Sequence, residues 1–257
     1  MSKKIDNAIG LYLDGIRDGD TTAIERYTGD RYTQHNTHVK DGKAGFSEFF
    51  KEFVVRNPKR DIQVIRSFED GNMVFLHVYQ SLNDGAAKWV TLDFFDTDND
   101  DKLIEHWDVI SEFNESNYGG HSSIDGGFRV IDLDRTNENK ALIRSMIRDL
   151  YIDRTGMDSL EKYVSIDQFI QHTPNSADGI QAHRSFLKDP ECPLHYKEVV
   201  LCVGSGNYVA TLSKATWHGD EHAQADLFRI ENGKVVEHWD ASEKIPPKHE
   251  WLNAGKF

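Results

Sequence analysis

The stretch Glu105-His106-Trp107-Asp108 returns letter for letter as Glu237-His238-Trp239-Asp240, and this repeat decides the fold. Other matches fall in the same order at nearly the same spacing. Gln34-His35 recurs as Gln171-His172 and Asp41-Gly42 as Asp178-Gly179, both 137 positions on. Gly71-Asn72 returns as Gly206-Asn207 and Asp93 as Asp226, so the offset only shrinks along the chain, as loop shortening in a diverged copy would make it. Two homologous domains are read from this, at about residues 1–113 and 136–245, with a linker at 114–135 and a tail at 246–257.

Each copy changes hydrophobic period partway along. Ile5, Ile9, Tyr12, Leu13 and Ile16 follow helical spacing, a short second helix runs through Ile24 and Tyr27, and a third carries Phe46, Phe49, Phe50 and Phe53 on one face. From Lys59 the period becomes two. Alternating segments separated by Asp70-Gly71-Asn72, Asn83-Asp84-Gly85 and Asp96 to Asp101 read as an antiparallel meander. The second copy repeats this plan, and helices followed by strands define the α+β class. The linker's Phe128, Val130, Ile131 and Leu133 suggest a piece docked on a domain as an extra strand, and Trp251, Leu252 and Phe257 give the tail apolar residues for packing.

A chain of 257 residues with 38% hydrophobic residues has enough length and apolar content for two cores. The formal charge of −13 and the lack of a Lys/Arg cluster argue against nucleic acid and anionic membrane partners. No apolar run is long enough to span a bilayer or serve as a signal core, so a cytoplasmic location is expected. Cys192 and Cys202 lack metal-type spacing and read as reduced structural thiols.

In a strand alternate residues share a face, so His106 and Asp108 point one way while Glu105 and Trp107 point the other, and the same holds for His238 and Asp240. A His beside a carboxylate on a covered sheet face is either an acid/base pair or a structural hydrogen-bonded pair. His35, Asp93, His106 and Asp108 include metal-ligand types, but no short HxH or HxxxH spacing supports a site, and no metal is assigned.

The segments Tyr32-Thr33-Gln34-His35-Asn36, Leu92-Asp93-Phe94-Phe95 and Glu105-His106-Trp107-Asp108-Val109, with their second-copy counterparts, resemble the SnoaL-like polyketide cyclase family. That family belongs to the folds shaped like nuclear transport factor two. The resemblance implies two tandem cone-shaped domains, each with three helices packed on a curved antiparallel sheet around a pocket. It implies no cofactor, and a small-molecule ligand as partner. It further implies acid/base roles for Asp108 and Asp240, supported by His106, His238, Asp93 and Asp226. His35, Asn36, His77 and His172 are expected as substrate-binding residues. The leading expectation is a cofactor-independent enzyme moving a proton on a small apolar carbonyl compound, as an aldol cyclase, isomerase or dehydratase would. The alternative is a ligand-binding or scaffolding protein of the same fold. Relatives that pair through the sheet suggest an intrachain pseudo-dimer, with Trp107 and Trp239 at the contact and a further homodimer as an option.

Overall fold

The computed structural model describes residues 2–257. Two compact units emerge, one from Met1–Glu112 with Ile245–Phe257 and one from Phe113–Lys244. The segment after each sheet therefore folds with the other unit rather than with the sheet it follows.

In the first unit α1 (Lys3–Gly10) continues without a break into a wider turn at Leu11–Arg17, where Asp18 N–H bonds back five residues to Leu13. After α2 (Ala23–Tyr27) come β1 (Thr28–Gln34) and α3 (Gly42–Arg56). The meander is β2 (Arg60–Asp70), β3 (Met73–Leu82), β4 (Ala87–Thr97) and β5 (Leu103–Glu112), in sheet order β1-β5-β4-β3-β2. The fifth strand, β1, lies between the second and third helices. It runs parallel to β5, so the sheet is mixed rather than purely antiparallel.

The second unit repeats the order β6-β10-β9-β8-β7. Its strands are β6 (Ile170–Gln171), β7 (Leu194–Ser205), β8 (Tyr208–Trp217), β9 (Asp220–Glu231) and β10 (Lys234–Lys244), under α4 (Thr136–Ile147) and α5 (Ile180–Lys188). In α4's extension, Arg148–Ile152, Asp153 N–H again reaches back five residues. Here the second helix of the plan is a pair of tight turns, Met157–Lys162, kinked at Ser159.

Each core lies between the helices and one face of its sheet. In the first unit that face carries Val74, Leu76 and Val78 from β3 and Phe95 from β4, against Leu11, Phe46 and Phe50 from the helices. The second unit places Ile143, Ile147 and Leu150 against Val209 and Phe228 in the same way.

The linker does dock, but not as a strand. Its backbone is held by side chains, because Asn117 Nδ2 donates to the carbonyls of Gln171 and Thr173 at 2.5 and 3.3 Å. At its far end Ile131 O accepts from Asn207 N–H, and Asn207 Oδ1 accepts from Ile131 N–H at 2.8 Å. Its expected anchors Phe128 and Leu133 are exposed instead. The tail mirrors the linker. Asn253 Nδ2 donates to the carbonyls of Asn36 and Val39 at 2.6 and 3.0 Å, and Trp251 Nε1 closes the turn on Pro246 O.

Gly206 turns the β7–β8 hairpin at φ +57° with Ile131 O so close that a Cβ would stand 1.8 Å from it. Its counterpart Gly71, at φ +62°, has nothing within 4 Å of that position. Both alanine variants bear the left-handed strain of about 1–2 kcal/mol. Only Gly206→Ala must also push backbone aside, which adds about 1–3 kcal/mol. Urea unfolding should therefore rank Gly206→Ala well below Gly71→Ala, and equal losses would show that the docked linker yields freely.

Candidate functional site

Strand parity builds each pocket. Gln34 pairs with His106 across the parallel β1–β5 ladder, and Asp93 stands opposite Asp108 on β4, so these four side chains share the helix-facing side. In the second unit the same register sets Gln171 beside His238 and Asp226 opposite Asp240.

In the first unit His106 Nε2 lies 2.9 Å from Asp93 Oδ1, and Gln34 Nε2 lies 3.2 Å from the other ring nitrogen. Asp93 is wholly buried behind His106 and also accepts from Tyr12 Oη at 2.6 Å and Thr91 Oγ1 at 2.7 Å. Burial first, then the Asp93 charge, pushes the Tyr12 hydroxyl well above its usual range, so it stays a donor. Asp108 lines a cavity of about 270 Å³ whose other walls are mostly apolar, among them Phe46, Phe49, Phe50 and Phe53 of α3. The phenylalanine face of α3 thus walls the pocket as well as packing on the sheet.

Both Asp108 oxygens are engaged. Asn36 Nδ2 donates to Oδ2 at 2.8 Å and Lys256 Nζ to Oδ1 at 3.0 Å. Burial alone would raise this carboxyl, but the Lys256 charge, then His106 and the Asn36 amide, hold it below the usual range. Sequence reading missed Lys256, which lies 148 residues from its partner in the C-terminal tail.

The second pocket, about 430 Å³, is lined by Asp240, His238, Tyr151, Tyr196 and His183. His238 Nε2 lies 3.1 Å from Asp226 Oδ1, and Asp226 accepts from Tyr196 Oη at 2.9 and 3.0 Å. Asp240 takes a bond from Gln224 Nε2 at 3.1 Å on Oδ2, while no hydrogen bond reaches its Oδ1 among the described residues. Burial lifts its carboxyl above the usual range, with Asp226 adding, against a weaker total from His238, Thr173 and Gln224. Gln171 is turned about relative to Gln34. Its Oε1 faces His238 Nδ1 at 2.9 Å and its Nε2 faces His183 Nδ1 at 3.4 Å.

Three expected ligand contacts lie elsewhere. His35 is one residue out of phase with Gln34, so its ring stacks on Trp107 at 4.6 Å on the opposite face, with Nε2 on Glu105 at 2.8 Å and Nδ1 on Gly255 O. His172 does the same against Trp239, Glu237 and Ser122 O. His77 pairs with Leu92 on the face away from the cavity and takes Arg66 Nη1 at 3.1 Å. Of the four expected substrate-binding residues only Asn36 lines a pocket. Trp239, expected at a domain contact, donates Nε1 to Asp125 O of its own unit.

His183, unread in the sequence, occupies the place Phe46 holds in the first unit and meets Tyr151 Oη at 2.9 Å. Burial, then the His238 charge, lowers it to about 3, so it is neutral in the folded protein. An unfolded histidine binds a proton near pH 6.5, so this site costs stability as pH falls from about 6.5 towards 3, by up to about 1.4 kcal/mol per unit. His183→Phe should flatten that slope, read by amide exchange in the second unit at pH 7 and 4. An unchanged slope would place the proton uptake elsewhere.

Residues 10–106 match the family model described as "SnoaL-like domain". Curated protein sequences give no match. Among solved structures, the chain is similar to IdmH, a polyketide cyclase candidate from Streptomyces antibioticus, at 14% identity over 43% of this chain and 93% of that one, with a TM-score of 0.37. It is also similar to a ketosteroid isomerase candidate from Kribbella flavida, at 16% identity over 45% and 87%, with a TM-score of 0.38. A third is an epoxide hydrolase from M. tuberculosis, at 15% over 42% and 82%, with a TM-score of 0.36. Residues 10–106 match a SnoaL-like domain, and the five-strand plan, the Gln-His pair and the Glu-His-Trp-Asp strand of that stretch recur in the second unit.

Proposed function

We propose that the protein is a cofactor-independent acid/base enzyme acting on a small, largely apolar carbonyl compound, in the manner of an aldol cyclase, isomerase or dehydratase. The observation that carries this reading is the placement of one carboxyl group in each cavity wall. Asp108 and Asp240 are the only acidic side chains lining the two pockets among the described residues. Each sits two residues along its strand from a His backed by a buried Asp. A carboxyl group facing an apolar cavity can take a proton from a carbon beside a carbonyl and return it elsewhere, while the His–Asp pair holds one edge of the site rigid. The apolar walls favour a hydrocarbon body and exclude the water that would compete for the proton.

A second reading, ligand binding without turnover, draws on Asp108 alone. Its two oxygens already hold Lys256 and Asn36, which suits a fixed polar anchor.

The two aspartates should respond differently to the same change. Asp240→Asn preserves size and leaves no buried cation unpaired, so turnover on a substrate identified by mass spectrometry of the co-purifying ligand should fall by about 10²–10⁴ with little loss of stability. Asp108→Asn strands the Lys256 ammonium and should destabilise the first unit by about 3–5 kcal/mol. Full turnover in both variants would remove the two aspartates from the chemistry, and saturable binding without any product in the unaltered protein would leave the binding reading.

A further inference from the structure

The segment after each sheet docks beside a pocket, and the two do so differently. Around the second pocket Asn117 clamps the Gln171 and Thr173 carbonyls, Ser122 O meets His172 Nδ1, and Tyr118 reaches the pocket wall. Around the first, Asn253 clamps the Asn36 and Val39 carbonyls and Gly255 O meets His35 Nδ1. The anchors correspond at the Thr173 and Asn36 carbonyls and at the two histidine rings. The residue after each histidine-binding carbonyl is Ser123 in one case and Lys256 in the other.

We infer that Lys256 is a positioning residue of the first pocket: delivered by the docked C-terminal segment, its ammonium fixes Asp108 as a carboxylate, which makes this pocket a base and leaves Asp240 in the other free to serve as an acid. This rests on the proposed role of Asp108 and Asp240 as proton-transfer groups. Lys256 is 2% exposed and Asp108 6%, so the pair is shielded from water and salt, and the attraction is far stronger than between surface charges. Asn36 on the second oxygen keeps the carboxylate from rotating away.

The other groups facing Asp108 do not replace the cation. His106 lies along its own strand, Asp93 opposite on β4, Tyr12 on the first helix and Tyr32 on β1. Asp93 is an acid that already holds His106, both tyrosines are kept protonated by burial, and His106 acts on Asp108 less than Lys256 does, so Lys256 is the main positive partner. A lysine held this way is a charged donor rather than a nucleophile.

The test reads Asp108 directly, by carbon-13 NMR titration of the aspartate carboxyl groups in the whole chain. In the unaltered protein Asp108 should titrate below the ordinary carboxylate range and Asp240 above it. Lys256→Met should raise Asp108 by about 1–3 pH units and leave Asp240 in place, while Lys256→Arg should restore the low value. An Asp108 titration that Lys256→Met does not move overturns the inference. Should the methionine variant fail to fold, reductive methylation of the unaltered chain decides. Lys256 should then be the slowest lysine to react, and reaction at the rate of surface lysines overturns the inference equally. On turnover, Lys256→Met should move the acidic limb of the pH profile upward, with Lys256→Arg restoring it. Since the titration needs no substrate, its outcome stands apart from whether Asp108→Asn and Asp240→Asn affect turnover.

Discussion

Each pocket depends on one parallel bridge, the pairing of the Gln-His dipeptide with the His-Trp of the last strand. His35 N–H bonds to His106 O and His172 N–H to His238 O, both at 2.9 Å, and these bonds fix the register. Register then dictates chemistry, because side chains alternate between faces. Gln34 and Gln171 turn inward and grip the histidine that meets the buried Asp. His35 and His172 turn outward and lie flat on the tryptophans. A slip of one residue would exchange these roles and put an imidazole where the amide now orients the ring.

The same alternation separates what was legible in the sequence from what was not. The repeat, the change of period and the inward face of His106, Asp108, His238 and Asp240 follow from letters and spacing alone. The family resemblance points to His35 as a pocket residue, yet the parity rule applied to the last strand chooses Gln34 once the two segments are known to pair. That parallel pairing joins segments about 70 residues apart and has no local signature. His77 failed for the same reason, since its face is set by pairing with Leu92 and not by its own neighbourhood. Lys256 was out of reach because the tail's likeness to the linker lies in how an asparagine and a carbonyl dock, which a few letters do not reveal, and the linker has Ser123 in its place.

The two units serve as an internal comparison of one plan under different substitutions. Where the first has Phe46, the second has His183, and that ring draws the Gln171 amide nitrogen towards itself. The Gln171 oxygen then faces His238, whereas His106 faces an amide donor. One replacement on a helix thus changes the hydrogen-bond partners of a histidine on the far strand, through a side chain that changes orientation and not place. With Lys256 present in one pocket only, the shared Glu-His-Trp-Asp strand is set in two distinct electrostatic surroundings.

Asp93 and Asp226 show which part of the plan is under the tightest physical demand. Each is wholly buried, and a buried carboxylate without donors would cost several kcal/mol. Both units meet that demand with a tyrosine hydroxyl, but Tyr12 comes from the first helix and Tyr196 from the strand β7 at the sheet's far edge. The donor is therefore required while its origin is free. A purely structural His–Asp pair could have been replaced in either copy by apolar residues of similar volume at little cost. Instead both copies support the His–Asp pair with unrelated tyrosines. That favours a site in which the histidine's orientation matters to whatever occupies the cavity beside it.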